Sequence, residues 1–200
     1  MSQLSLKVTI WRKNHGVISI RKTAVQVANE RIVMRKTALT ALFGVAIFLS
    51  KGFLPTPIDK MLIVVQAFLL ALGALMANPL GAAKVSVIGA ILTAILRPAL
   101  APLTIIFALV YGILTDFFVH VVRVKHSEKG VRTGRLVAAT TISTAITGLM
   151  SYYFSAYVLR VIPRNPLLDA VILAGGILSG LIGGYLAAIT WRKVIKDLVS

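Results

Sequence analysis

The chain has 200 residues, of which 58% are hydrophobic and 14% are charged, with no cysteine and a formal net charge of +16. Soluble domains average about 45–50% apolar and about 25% charged residues, so this composition indicates a membrane protein. The lack of cysteine excludes a disulfide framework, thiolate chemistry and a cysteine-ligated metal.

Residues 1–36 form a basic arm that differs from the rest of the chain. Two short β-branched runs flank the sequence NHG, a pattern that predicts a hairpin. A basic segment of this kind can also lie on the anionic inner leaflet of a membrane. A third interpretation is that translation starts at Met34, directly before the first long apolar segment.

Six apolar segments follow the arm, and each comes close to the about 20 residues that a membrane-spanning helix needs. They lack the inside–outside alternation of a membrane β-barrel, so we predict one helical domain over residues 37–196. The predicted helices cover residues 37–54, 58–77, 80–96, 102–122, 136–161 and 167–190.

The basic residues are distributed unevenly among the predicted loops. With the N-terminus in the cytoplasm, cytoplasmic segments hold 16 of the 22 Lys and Arg residues, the opposite side holds five, and Lys84 lies within the third helix. Cytoplasmic loops of membrane proteins carry an excess of Lys and Arg. We therefore predict a multi-pass protein of the cell membrane, an all-α bundle of six transmembrane helices with both termini cytoplasmic. This distribution accounts for the net charge without a nucleic-acid partner.

Motifs for catalysis and metal binding are missing from the sequence. It contains no HExxH, phosphate-binding loop, paired-glutamate motif or GxSxG. The histidines His15, His120 and His126 are scattered, and the six acidic residues leave few groups for acid–base chemistry. We predict that the protein is not an enzyme and that it holds neither a cofactor nor a metal.

The sixth predicted helix carries a row of glycines at a spacing of four residues. Gly176, Gly180 and Gly184 form this row. Small residues at such spacing let helix backbones approach closely, so the row predicts tight helix packing.

The first predicted helix has two further rows of small residues. One row is Thr37 with Ala41, and the other is Thr40 with Gly44. Each row forms a flat face on which another helix can lie. The sequence therefore predicts a docking face near the cytoplasmic end of this helix.

Tyrosines and other polar residues collect at the outer ends of the predicted helices. Tyr153 and Tyr157 lie on one face of the fifth helix, and Asp59, Arg97 and Asn165 fall at the same outer level. Tyrosines at this level often form an interfacial aromatic belt. The same groups also suit a small, partly apolar organic ligand. The sequence alone leaves both interpretations open.

Several of these features resemble a known family. The segments TALTALFGVAIF and LALGALMANPLGAAKVSVIGAIL, a proline-rich first outer loop and a glycine-rich last helix ending in WRK are similar to the substrate-binding S components of energy-coupling factor (ECF) transporters. The resemblance covers about residues 34–196. The docking row departs from the family's two alanines, because it is Thr37/Ala41 or Thr40/Gly44 here.

The resemblance implies a subunit that captures a small organic micronutrient, such as a vitamin, from outside the cell. It implies three partners besides the lipid bilayer, namely a transmembrane coupling subunit and two cytoplasmic ATPases. The family's binding residues come from the first outer loop and the outer helix ends, which here offer Asp59, Arg97, Tyr153, Tyr157 and Asn165. The alternatives are a structural or assembly subunit of a larger membrane complex, and a small stand-alone secondary transporter.

Asp116 is the acidic residue inside an apolar segment, where a charge is costly unless it is paired or hydrated. It lies seven residues before Arg123, about 10 Å along a helix. We predict an intramembrane ion pair between Lys84 and Asp116, with His120 close by on the same helix face. Exchanging both charges should then be tolerated better than removing either one.

Overall fold

The computed structural model describes residue 26 and residues 30–51, 62–76, 80–98, 101–124, 131–158 and 166–195. About 94% of these residues are helical and they contain no strand, which confirms the prediction of an α-helical chain for this part. The six helices are α1 (Glu30–Lys51), α2 (Ile63–Met76), α3 (Gly81–Leu96), α4 (Ala101–Val121), α5 (Thr133–Tyr153) and α6 (Pro166–Thr190). Helices α5 and α6 each continue into one π-helical turn, Phe154–Val158 and Trp191–Ile195.

Helix α1 begins earlier than the apolar pattern predicts. It starts at Glu30 rather than at Thr37, because residues 30–36 (ERIVMRK) include Glu, Arg, Met and Lys, which favour helices. The last part of the basic arm is therefore helical. The predicted hairpin around NHG lies outside the described residues.

Three helices are long and apolar enough to cross a membrane. They are α1, α4 and the continuous helix Leu167–Ile195. Helices α2 and α3 are apolar but have only 14 and 16 residues. At 1.5 Å per residue they extend about 21 and 24 Å, less than the about 30 Å of a bilayer core. The described residues therefore form a helical structure that supports a membrane protein, and three of their helices qualify as spans where the sequence predicts six.

Helix α2 lies at the centre of the described helices. Ten of its 14 residues are buried, and Leu70 and Ala71 have no exposed surface. It packs against α3 and α6, and it also touches α4 and α5. A Cβ atom on Gly183 of α6 would lie 2.9 Å from the Val64 carbonyl oxygen and 3.0 Å from the Phe68 nitrogen. This glycine lets α6 approach the backbone of α2 closely.

The glycine row of α6 lies along α5. A Cβ atom on Gly176 would be 3.1 Å from the Ala145 Cα atom, and one on Gly184 would be 3.0 Å from the Val137 Cα atom. Between them, a Cβ atom on Gly180 would overlap the Thr141 Cα atom. Thr140 Oγ1 also donates a hydrogen bond of 3.0 Å to the Gly180 carbonyl oxygen. Helices α5 and α6 are therefore in backbone-to-backbone contact along this row.

The contacts between helices define two ends of the bundle. Helices α3 and α4, α4 and α5, and α5 and α6 are antiparallel pairs, whereas α1 runs parallel to α3. The basic end gathers the last turns of α4 and α6 and the first turn of α5. The tyrosine end gathers the first turns of α4 and α6 and the last turn of α5.

Candidate functional site

A row of hydroxyl side chains lies inside the bundle, where α5 faces α4. The Tyr111 hydroxyl and Thr144 Oγ1 are 2.8 Å apart, and both side chains are buried. One turn further along α4, Thr115 Oγ1 donates to the Tyr111 carbonyl oxygen at 2.8 Å and lies 3.3 Å from Ser143 Oγ. Helix α5 is therefore polar on the side that it turns towards α4. This polarity explains why α5 is not among the helices apolar enough to cross a membrane.

Thr147 lies one turn beyond Thr144, towards the tyrosine end. Its Oγ1 is the buried side-chain oxygen that has no hydrogen-bond partner among the described residues. The Thr147 residue keeps only 9% of its surface exposed. A buried hydroxyl without a partner is uncommon, since it loses its bonds to water and gains none. Thr147 is therefore the described position where a bound polar molecule would complete the hydrogen bonding.

The tyrosine rings at the end of α5 lie beside one another but differ in exposure, since the Tyr153 ring centroid is 5.5 Å from that of Tyr152 and 5.7 Å from that of Tyr157. Tyr152 is 5% exposed, whereas Tyr153 and Tyr157 are 43% and 51% exposed. The Phe107 and Phe154 rings make an edge-to-face contact with centroids 5.3 Å apart, which links the first turns of α4 to the π-helical turn after α5. Such π-helical turns occur often at functional sites. The buried tyrosine of this segment is thus Tyr152, not one of the two predicted binding residues.

The other predicted binding residues do not form a described cluster. Arg97 follows α3, and its backbone N–H donates to the Thr93 carbonyl oxygen at 3.0 Å. Asp59 and Asn165 lie outside the described residues. The proposal of a pocket made from Asp59, Arg97, Tyr153, Tyr157 and Asn165 stays a prediction.

Asp116 supplies the cap that α3 lacks. The residue before α3, Leu80, has a left-handed backbone (φ 65°, ψ 37°) and no side-chain capping hydrogen bond. From α4, Asp116 Oδ1 accepts from the Ala82 N–H at 3.1 Å, and Oδ2 accepts from the Ala83 N–H at 2.9 Å. The first N–H groups of a helix have no partner within it and carry partial positive charge. The carboxylate therefore satisfies groups that would be costly to leave unpaired in a membrane.

The predicted partners of Asp116 have exposed side chains. Lys84 comes directly after the two capped residues on α3, and His120 lies one turn from Asp116 on α4. The contacts at Asp116 show that backbone N–H groups, which the prediction did not consider, already oppose its charge. The Lys84–Asp116 pair stays a prediction.

The two predicted docking rows of α1 lie in different surroundings. Thr40 and Gly44 are buried, and a Cβ atom on Gly44 would lie 2.5 Å from Ile88 Cγ2 of α3. Thr37 and Ala41 are exposed. Gly44 therefore faces α3 of the same chain. Thr37 and Ala41 are exposed in the described part of the chain, and their docking role stays a prediction.

We expect Gly44→Val to destabilise the protein by about 1–3 kcal/mol, because the added side chain overlaps Ile88 and packed interiors tolerate extra volume poorly. Ala41→Val, one turn away on the exposed row, should change stability by less than about 0.5 kcal/mol. Thermal unfolding in one detergent measures both variants. Equal shifts of the unfolding temperature in the two variants would show that α1 does not pack on α3 through Gly44.

The buried polar side chains inside the bundle are not among the site residues that the sequence predicts. Tyr111, Thr144 and Thr147 recur at helical spacing on facing helices, and Gln66 is a buried amide in the first turn of α2. A periodic row of hydroxyls on α5 was visible in the sequence as Thr140, Thr144, Thr147 and Ser151. The pairing with Tyr111 depends on the register of α4 against α5, which no local pattern contains.

The chemistry of the hydroxyl row is neutral hydrogen bonding. Hydroxyls both donate and accept, and neither Tyr111 nor Thr144 brings a formal charge at neutral pH. Among the described residues, no group of three or more His, Asp or Glu side chains is placed to hold a metal ion. The row therefore consists of neutral donors and acceptors, and four of its hydroxyls bond to one another in pairs.

Comparisons with protein-family models, curated proteins and solved structures found no match to this chain.

Proposed function

We propose that this protein is the membrane-embedded substrate-capture subunit of an ECF-type transporter that takes up a vitamin-like micronutrient. In this role it binds the micronutrient and does not catalyse a reaction by itself. A transmembrane coupling subunit and two cytoplasmic ATPases would complete the transporter. The protein would lie in the cell membrane with both termini in the cytoplasm.

The observation that carries this proposal is the unpartnered Thr147 hydroxyl. It extends the hydroxyl row of Tyr111 and Thr144 towards the tyrosine end, where Tyr152 and the Phe107–Phe154 pair supply aromatic surface. Binding sites for small molecules are mostly apolar and aromatic, with a few placed polar groups. Thr147 supplies a polar group, and Tyr152, Phe107 and Phe154 supply aromatic groups, towards the end of the bundle that faces outward in the predicted topology.

The alternative is a structural or assembly subunit of a larger membrane complex. It is favoured by the apolar faces that α1 and α6 turn outward, such as Leu42 (60% exposed) and Leu178 (58% exposed). The burial of Thr40 and Gly44 also leaves one docking row instead of two. In this alternative the exposed faces would contact partner helices, and the bundle would hold no small molecule.

We expect the purified protein to retain a small organic molecule that mass spectrometry identifies after extraction. A panel of vitamins should contain a compound that raises its unfolding temperature in detergent. Thr147→Val should weaken binding of that compound about threefold to tenfold, because one hydrogen bond to a neutral ligand is lost.

The control is Thr144→Val, which breaks the bond with Tyr111 and should cost about 0.6–1 kcal/mol of stability. Thr147→Val should instead leave the stability of the ligand-free protein unchanged or slightly higher, because it removes an unpartnered hydroxyl. No retained molecule and no stabilisation across the panel would favour the structural role.

A further inference from the structure

Five basic residues lie at one corner of the basic end, which we call the basic corner. They come from the end of α4, the start of α5 and the end of α6. Its members are Arg123, Arg132, Arg135, Arg192 and Lys193.

Two hydrogen bonds tie the basic corner together. Arg135 Nη1 lies 3.4 Å from the Arg123 carbonyl oxygen, and Arg192 Nη2 donates to the Val131 carbonyl oxygen at 3.1 Å. The second bond brings the last turn of α6 next to the residue that precedes Arg132. Both acceptors are neutral carbonyl groups, so these contacts position the guanidinium groups and leave their charges in place.

The described carboxylates do not neutralise the basic corner. Asp116 caps α3, Asp169 lies in the first turn of α6 at the tyrosine end, and Glu30 begins α1. Arg123, Arg132, Arg192 and Lys193 are exposed. Several like charges held close together attract an anion strongly.

Exposed apolar side chains lie close in sequence to the basic corner, on α4 and on the turn after α6. Phe117 and Val121 on α4 are 56% and 55% exposed, and Val194 beside Lys193 is 53% exposed. Cations near exposed apolar side chains match a molecule that carries a phosphate on acyl chains. Guanidinium groups bind phosphate oxygens through paired hydrogen bonds. A free phosphate ion would use the cations alone and leave the apolar border unused.

We propose that the basic corner binds the phosphate headgroup of an anionic phospholipid. Phe117, Val121 and Val194 contact the acyl chains, and the arginines bind the headgroup. This inference does not depend on the proposed function, since a capture subunit and an assembly subunit would both carry the site.

Native mass spectrometry of the full chain tests the proposal in mixed micelles. The micelles contain equal amounts of phosphatidylglycerol and phosphatidylcholine with identical acyl chains. We expect the protein to retain phosphatidylglycerol in preference to phosphatidylcholine. Arg132→Gln combined with Lys193→Gln should reduce this preference by about fivefold for each neutralised cation. Both side chains are exposed and make no hydrogen bond in the described part, so folding should survive the change.

Two controls test whether the lipid preference depends on the positive charges of the basic corner and not on the net charge of the protein. Arg132→Lys with Lys193→Arg keeps both charges and should keep the preference. Lys51→Gln removes a charge at the end of α1 that lies away from the basic corner, and it should also keep the preference. Unfolding temperatures in lipid-free detergent confirm that all variants are folded.

Three results would overturn the proposal. One is equal retention of the two lipids by the unaltered protein, and another is an equal loss of preference in Lys51→Gln. The third is a rise in unfolding temperature with inorganic phosphate alone that equals the rise with phosphatidylglycerol. The site would then recognise a free anion and not a lipid.

Discussion

Gly180→Val is expected to destabilise the protein by about 3 kcal/mol or more, the upper range for overpacking. A side chain at this position would overlap the Thr141 Cα atom, which belongs to backbone and cannot turn aside. The two helices would have to separate along the whole glycine row. Separation would also break the bond from Thr140 Oγ1 to the Gly180 carbonyl oxygen. Unfolding of the purified protein in mixed micelles measures the loss.

The matched control is Gly175→Val on the same helix. Gly175 is exposed, and a Cβ atom there would meet nothing within 4 Å. This variant should change stability by less than about 1 kcal/mol, the scale of helix propensity alone. If the two variants lose equal stability, the contact of α5 with α6 does not depend on Gly180.

Asp116→Ala is expected to cost about 2–4 kcal/mol, because it leaves the Ala82 and Ala83 N–H groups without acceptors in an apolar setting. Asp116→Asn keeps one oxygen acceptor and should cost roughly half as much. Lys84→Ala should cost less than about 0.5 kcal/mol, since the Lys84 side chain is exposed. Thermal unfolding in one detergent compares the three variants.

The charge exchange Lys84→Asp with Asp116→Lys distinguishes the cap from the predicted ion pair. A lysine at position 116 would direct an ammonium group at two N–H donors and repel them. The cap therefore predicts that the exchange is at least as harmful as Asp116→Ala. An exchange milder than either single removal would support the ion pair instead.

The apolar pattern of the sequence was sufficient to predict most helix positions. Helix α3 was predicted over residues 80–96 and spans Gly81–Leu96, and α4 was predicted over 102–122 and spans Ala101–Val121. Both are mostly apolar runs that contain one charged side chain each, Lys84 in α3 and Asp116 in α4. The start of α1 was missed because Arg31, Arg35 and Lys36 interrupt the apolar pattern without opposing a helix.

The candidate site was harder to predict than the helices. Tyr152 and Tyr153 are neighbours in sequence, and only the packing of α5 decides which of them faces inward. The acceptor role of Asp116 is not visible in the sequence because its partners are backbone N–H groups. Almost every residue has such a group, so no residue type marks the partner. Thr147 is notable only for the missing partner of its hydroxyl, and that property exists only in three dimensions.

The central position of α2 has a consequence for the order of biosynthesis. Ala67 of α2 is 2% exposed, and Gly183, more than 100 residues later in the chain, lies against it. A nascent chain that has released α2 and α3 into the bilayer must wait for α6 before this surface is covered. Helix α6, which covers this side of α2, is therefore synthesised last. A chain truncated before α6 leaves this surface of α2 uncovered.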